Sequence, residues 1–177
     1  MHIIYYYRSE VVVIMANSSI VGLAKNKIIR EFIKDNEIIA AIGCDESHSG
    51  ENLVNTHIFN YHQNPNTIND VQTFITVQVH IPQPYRFDSK IHVQPIIEIW
   101  ICSHEKHMIV DNVPKITENR NDYLARLIDE KLNGRDDFGI GKLKLVSNIE
   151  GSSQKDYLYR TLVFQGLDFN DSLCDSE

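Results

Sequence analysis

Two stretches of this chain alternate apolar and polar residues with a period of two, which restricts them to a sheet with one dry face and one wetter face. In the first, Val71, Thr73, Ile75, Val77, Val79 and Ile81 alternate with Gln72, Phe74, Thr76, Gln78 and His80. In the second, Ile91, Val93, Ile97, Ile99 and Ile101 share one side, and His92, Gln94, Glu98 and Trp100 take the other. Successive strand side chains point to opposite faces, so each stretch offers the same apolar side to a core. Pro95 falls on the apolar register of the second stretch. Having no N–H to donate to a ladder, it predicts an edge strand or a bulge there.

A sheet with one apolar face needs a second layer to cover it. Residues 18–34 supply one, reading as an amphipathic helix with Ile20, Leu23, Ala24, Ile28 and Phe32 on its apolar side and Ser18 or Ser19 as cap. Lys25, Lys27, Arg30, Glu31 and Lys34 fill its polar positions. Asp35-Asn36 caps a further short turn from Glu37 to Ile42, and Gly43 stops it. A second helix spans about 118–133, with Tyr123, Leu124, Leu127, Ile128 and Leu132 as its stripe and Asn133-Gly134 as its end. Two more strands, about 141–149 and 156–164, follow and form a hairpin through Glu150-Gly151-Ser152-Ser153.

The order α, long loop, β, β, α, β, β predicts a single α+β domain over 15–167, an antiparallel sheet with its helices on one face. With 177 residues the chain has enough length for one core. Residues 168–177 read as an acidic, flexible tail. Residues 1–14 are apolar and aromatic but are interrupted by Arg8 and Glu10, and Met15 opens a natural start just before a helix cap. They read as an upstream extension, the alternative being an extra N-terminal strand. Between Cys44 and Asp70 the periodicity disappears in favour of Asn, His, Ser and Asp. A loop that long inside a compact domain is functional or mobile, with His57 to Tyr61 pinning its middle to the body.

Composition narrows the function classes. Hydrophobic residues at 42% and charged residues at 23% place the chain among globular proteins rather than disordered ones. A formal net charge of −7, with Lys and Arg scattered, is the opposite of the basic footprint that grips nucleic acid. Three cysteines, Cys44, Cys102 and Cys174, make a poor disulfide framework and fit a reducing compartment. No apolar run reaches the length of a membrane span.

The best chemical candidate is Cys102-Ser103-His104-Glu105-Lys106-His107, which holds three possible zinc ligands, Cys102, His104 and His107, within six residues. No second ligand cluster completes it, Cys44 with His48 being remote and loose, so the plainer reading is a strand end with polar loop residues. His57, His62, His80 and His92 are scattered. Asp136-Asp137 are adjacent in a turn and point apart, and Gly139-Ile140-Gly141 lacks the third glycine and following helix of a dinucleotide loop. The chain therefore reads as an assembling subunit rather than an enzyme, with no catalytic residue and no cofactor. Phe74, Ile96 and Trp100 lie away from the main apolar stripe and form either a partner surface or a second core covered by a helix of the same chain.

The stretch Ile128 to Gly134, then Phe138-Gly139-Ile140-Gly141-Lys142-Leu143, Leu145 to Asn148 and Glu150-Gly151, taken with Val71 to Ile75 and Ile101 to His104, resembles the tail terminator and neck (tail completion) proteins of long-tailed bacteriophages. The resemblance covers about 18–170 in the same order of elements, and its motifs are structural rather than chemical. It implies a homo-oligomer, a hexameric ring at the head-proximal end of the tail tube, joining tube to head. Its partners would be the tail tube protein and a head-completion or stopper protein, with DNA passing through the lumen and no membrane involved. Such a subunit would be assembled in the host cytoplasm and reside in the virion. On that arrangement loops 44–70 and 82–90 and the strand edges make the contacts, with Phe59, Tyr61, Phe74, Tyr85, Phe87 and Trp100 as interface residues. A head-side connector or other neck protein is the near alternative, and a metal-binding enzyme using Cys102, His104 and His107 the distant one.

Overall fold

A computed structural model of the chain describes residues 17–43, 50–81, 92–93, 95–153, 156–166 and 168–169. The expectations for residues 1–14 and Met15, for Cys44 with His48, and for Tyr85 and Phe87 in loop 82–90 lie outside the described residues. Helix α1 spans Asn17–Phe32 and α2 spans Asn36–Ile42, followed by strand β1 (Ile58–Phe59) and strand β2 (Thr73–His80). Strands β3 (His92–Val93) and β4 (Ile96–His104) precede helix α3 (Arg120–Leu132). Strands β5 (Lys144–Ser152), β6 (Tyr157–Gln165) and β7 (Asp168–Phe169) follow among the described residues.

The main sheet has the order β1-β2-β4-β6-β5. Its four long strands are antiparallel, as the α+β reading requires. The sheet is mixed, because β1 pairs in parallel with β2, Ile58 opposite Ile75 and Phe59 opposite Thr76. The pinning segment of the polar tract is therefore a strand. It is two residues long, too short to show a period, and Ile58 and Phe59 are both buried.

All three helices cover one face. Ala24, Ile28, Ile29, Phe32 and Ile33 of α1 and its end, Ile38 and Ile42 of α2, and Leu124, Ile128 and Leu132 of α3 meet Ile75, Val77, Ile97, Ile99, Ile101, Leu162 and Phe164 of the sheet in one cluster. Each Ile, Leu or Phe buried there contributes about 1.5–3 kcal/mol relative to exposure. Leu23 was expected on this stripe and instead is 49% exposed. Ile20, Ala24 and Ile28 form the inner row, and Leu23 falls one position outside it. Both ends of α2 follow the predicted chemistry, whereas Ser18 and Ser19, expected to cap α1, lie within it. The Asp35 side chain accepts hydrogen bonds from the N–H groups of Glu37 (2.9 Å) and Ile38 (3.2 Å), and Gly43 closes α2 in the left-handed region at φ 77°. Asn119 caps α3 by accepting from the Asp122 N–H at 2.9 Å.

Two sequence expectations are corrected. The hairpin does not turn at Glu150–Ser153, since Glu150, Gly151 and Ser152 belong to β5 and the reversal comes after them. Gly151 is needed for a different reason: it lies opposite Tyr159, whose ring leans over it so closely that a Cβ would come within 2.5 Å of the phenol. Pro95 marks neither an edge strand nor a bulge, because β4 is interior. It separates β3 from β4 just as Gly166 stands between β6 and β7, and the Gly166 N–H bonds to the Pro95 carbonyl at 3.0 Å. The pairs His92↔Phe169 and Val93↔Asp168 continue the register of Ile96↔Gln165. The β4–β6 ribbon thus resumes beyond the break as β3–β7, and Asp168–Phe169, the start of the expected tail, are strand residues.

Candidate functional site

The Cys102–His107 stretch begins in β4 and ends in a short 3-10 turn, Glu105–His107. Alternation along β4 divides it. Cys102 lies on the face away from the helices, between Phe74 and Tyr159, and is 1% exposed. Burial pushes its thiol up to about 12, so at neutral pH it is neither thiolate ligand nor ready nucleophile. His104 shares that face and is committed locally: its Nδ1 accepts from the Lys106 N–H at 3.1 Å and its ring meets Tyr157 edge-on at 5.3 Å. His107 turns back to the helix side, where its Nδ1 lies 2.9 Å from Thr73 Oγ1. The sheet thus separates Cys102 from His107, and among the described residues no group of three His, Cys, Asp or Glu side chains is placed to hold a metal ion.

What the segment builds instead is a buried polar column between the sheet and α3. Ser103 Oγ donates to Asn121 Oδ1 at 2.7 Å, Thr73 Oγ1 lies 2.8 Å from Ser103 Oγ, and Asn121 Nδ2 donates to the Leu158 carbonyl at 3.1 Å. A hydroxyl carries one proton, so these bonds set a direction. Ser103 gives its proton to Asn121, Thr73 gives its own to Ser103, and His107 donates to Thr73 from a protonated Nδ1. Thr73 and Ser103 are fully buried and Asn121 is 3% exposed, which closes the column to substrate. Burial, and then the positive charge of Arg120, hold the His107 ring below its ordinary pKa.

Arg120, in the first turn of α3, is 1% exposed. Its Nε donates to the His107 carbonyl (2.6 Å), Nη1 to the Ala41 carbonyl (2.6 Å) and Nη2 to the Ile109 carbonyl (2.7 Å). One guanidinium therefore ties the end of α2, the 3-10 turn and the following loop to α3. A Cβ at Gly43 would come within 2.5 Å of Arg120 Nη1, so this glycine is required by the clamp as well as by its φ. Neither Arg120 nor the column was foreseen. Thr73, Ser103 and Asn121 look like ordinary polar residues of strands and helix starts, and the signals available were Thr73 and Ser103 on the apolar registers of β2 and β4.

A recess of ≈ 450 Å³ opens beside the column, lined in part by Met108, Asn121, Asp122, Glu150, Tyr159 and Arg160. Its charged groups pair with one another: Arg160 pairs with Asp122, lies 3.2 Å from Glu150 and donates to Asn148 Oδ1 at 2.8 Å, while its Nε is buried with no hydrogen-bond partner among the described residues. This is a polar notch in which one cation is shared by two carboxylates rather than an acid–base pair.

The sheet's other face holds a second, aromatic core of Phe59, Phe74, Cys102 and Tyr157, with Ile68, Trp100 and Tyr159 packed against it. Phe59 is 6% and Phe74 0% exposed, so both leave the set of surface residues expected for an interface. Their cover is the segment after β1 rather than a helix, with His62 edge-on to Trp100 at 5.2 Å and the Tyr157 hydroxyl donating to the Asp70 carbonyl at 2.5 Å. Trp100 is half-buried, stacked at 4.8 Å on Tyr159 and donating to Glu98 at 2.8 Å. Tyr61, at 47% exposure, keeps a free flank, and beyond the cover Val146 (51%) and Ile149 (62%) of the edge strand β5 are exposed.

A family model described as YomW matches residues 26–165, from the middle of α1 to the end of β6. The match takes in both cores, the polar column and the Arg120 clamp. No curated protein matches the chain.

Proposed function

The chain belongs to the YomW family, a phage-associated family, and from that premise we propose that it is a structural virion protein, a tail terminator. On this reading copies of the chain form a ring, with six as the expected number, at the head-proximal end of a phage tail tube and join the tube to the head. The partners are the tail tube protein and a head-completion or stopper protein, and the ring resides in the neck of the virion after assembly in the host cytoplasm. Among the described residues no helix is long and apolar enough to cross a membrane.

One observation carries the reading: in a phage-associated chain, the chemistry-bearing residues are spent on tying the fold together. His107, Thr73, Ser103 and Asn121 satisfy one another, Cys102 is a buried thiol, and Arg120 holds three backbone carbonyls. The rival metal-enzyme reading on Cys102, His104 and His107 loses its support with the sheet between the first and the last. The net charge of −7 fits a channel that DNA must pass without sticking, because like charges repel within the ~8–10 Å over which salt leaves them unscreened. Native mass spectrometry and cryo-electron microscopy of the purified chain, alone and with tail tube protein, test the proposal. A ring that caps tubes is the expected result; a chain that stays monomeric at high concentration and ignores the tube overturns it. A ring that binds the portal side and not the tube assigns the chain to the head-side connectors instead.

A further inference from the structure

A closed ring needs two different, complementary surfaces on each subunit, repeated head to tail. Two copies of a chain with net charge −7 repel unless the contact sets positive against negative. The outer face of α1 is where positive charge collects. Lys27, Arg30 and Lys34 are exposed on successive turns, beside an exposed Gly22 and a Leu23 that is 49% exposed. Lys27 donates to the Asp137 backbone carbonyl at 3.1 Å, and its charge is only partly offset by the Asp137 carboxylate, which Arg135 already holds at 2.6 Å. Neither Arg30 nor Lys34 has a hydrogen-bond or ion-pair partner among the described residues. The one acid on this helix, Glu31, is neutralised by Arg135 at 2.6 Å.

Over the other half of the sheet the balance reverses. Helix α1 packs on β2, whereas α3 packs on β4 and β6. On the outer side of α3 the acids outnumber the two arginines they hold. Arg126 is shared between Glu118 (3.0 Å) and Glu130 (3.3 Å), and Arg160 between Asp122 and Glu150. Glu130 is 61% exposed, and Glu118 and Asp122 are 38% and 37% exposed. Asp129 adds a further carboxylate on the same helix.

We propose that the basic outer side of α1 and the turn after it (Leu23, Lys27, Arg30 and Lys34) docks on the acidic outer side of α3 and the residues leading into it (Glu118, Asp122 and Glu130) of a second copy of this chain, forming the repeated contact of the ring. The proposal rests on the ring reading above. The partner is a second copy rather than nucleic acid because the stripe has only three cations, one of them tied to Asp137, and no stacking aromatic, and because the matching acid surplus is on the same molecule.

The test uses two full-length variants, Arg30→Glu/Lys34→Glu and Glu118→Lys/Glu130→Lys, each checked by circular dichroism and thermal melting against the unaltered chain. A milder Glu118→Gln/Glu130→Gln variant stands in if the second reversal melts early. Analytical ultracentrifugation at about 50 mM salt is expected to show the unaltered chain assembled and each reversed variant weakened about a hundredfold or more, since like charges now face each other. Mixing the two reversed variants in equal amounts restores assembly with an alternating arrangement. If the unaltered chain assembles and the reversed variants do so equally well, or if mixing fails to restore assembly, this interface is refuted and the ring reading survives. If the unaltered chain stays monomeric, the ring reading itself fails, and the interface with it. A monomer that binds a 20-base-pair DNA duplex, and loses that binding in Arg30→Glu/Lys34→Glu, gives the stripe to nucleic acid and overturns the proposal.

Discussion

Replacing Arg120 by Met keeps the length and the apolar stem of the side chain and removes the buried guanidinium that holds three backbone carbonyls. The loss has two parts of opposite sign. Three hydrogen bonds from a charged donor, each worth about 1.5–3 kcal/mol, are removed, and the carbonyls of Ala41, His107 and Ile109 lose that donor. Against this, burying a cation costs several kcal/mol, and that cost disappears with the charge. Asp111 does little to offset that cost, since it lies at 3.9 Å and its side chain is 85% exposed. The net destabilisation is therefore about 2–4 kcal/mol. For a chain of this size, with a urea slope of about 2 kcal/mol per molar, the midpoint falls by about 1–2 M. At roughly 2–4 °C per kcal/mol the melting temperature falls by about 10 °C. Arg120→Lys is the sharper companion. It retains a charge but cannot reach three diverging acceptors from one ammonium, so it is expected to lose most of what Met loses. Equilibrium urea unfolding with an unchanged slope checks both. A Met variant within about 0.2 M of the unaltered midpoint would show that the fork adds nothing beyond its own burial cost, and would refute the reasoning.

Other consequences can be measured in the same way. Gly151→Ala places a methyl group 2.5 Å from the Tyr159 phenol, which is itself stacked on the single tryptophan. A loss of about 1–3 kcal/mol and a shifted Trp100 emission spectrum are expected, and an unchanged spectrum would contradict the packing. His107 titrates below its ordinary 6.5 in the folded chain, from burial first and the Arg120 charge second, so the unfolded chain binds the extra proton. Its contribution to stability is complete above about pH 6.5 and is lost as pH falls through the folded value. Unfolding free energies from pH 8 to pH 5 should thus fall more steeply for the unaltered chain than for His107→Gln, and parallel curves would exclude this linkage. In a Cys44→Ser/Cys174→Ser background, Cys102 should resist a thiol reagent until urea unfolds the chain, because burial pushes its thiol up to about 12. Prompt stoichiometric labelling in native buffer would refute that burial.

The large features were legible because they are periodic. Val77 and Ile99 announce the dry face of the sheet, Leu124 and Ile128 the inner side of α3, and Asp35 and Gly43 the two ends of α2. What escaped was set by tertiary contact rather than local pattern. Ile58–Phe59 is too short to show alternation, and its parallel pairing is visible only once β2 lies beside it. Gly151 carries the sequence signature of a turn, yet the ring of Tyr159 is what demands it. Cys102, His104 and His107 looked like a ligand set because they are close in sequence, but the 3-10 turn after β4 carries His107 back to the side of the sheet opposite Cys102. Phe74 was placed correctly on the second face, and its burial depended on a polar tract whose covering role no composition revealed. Arg120 stood among the polar residues of a helix start, where nothing distinguishes a buried guanidinium from a solvated one.

The shared register across Pro95 and Gly166 has an evolutionary corollary. Two residues separate β3 from β4 and two separate β6 from β7, so the outer ribbon stays in phase with the inner one. A lone insertion or deletion in either spacer would leave His92 and Val93 facing the wrong mates, whereas matched changes in both would preserve the pairing. Kindred chains that keep this ribbon should therefore vary the two spacers in step, a covariation of lengths rather than of residue types.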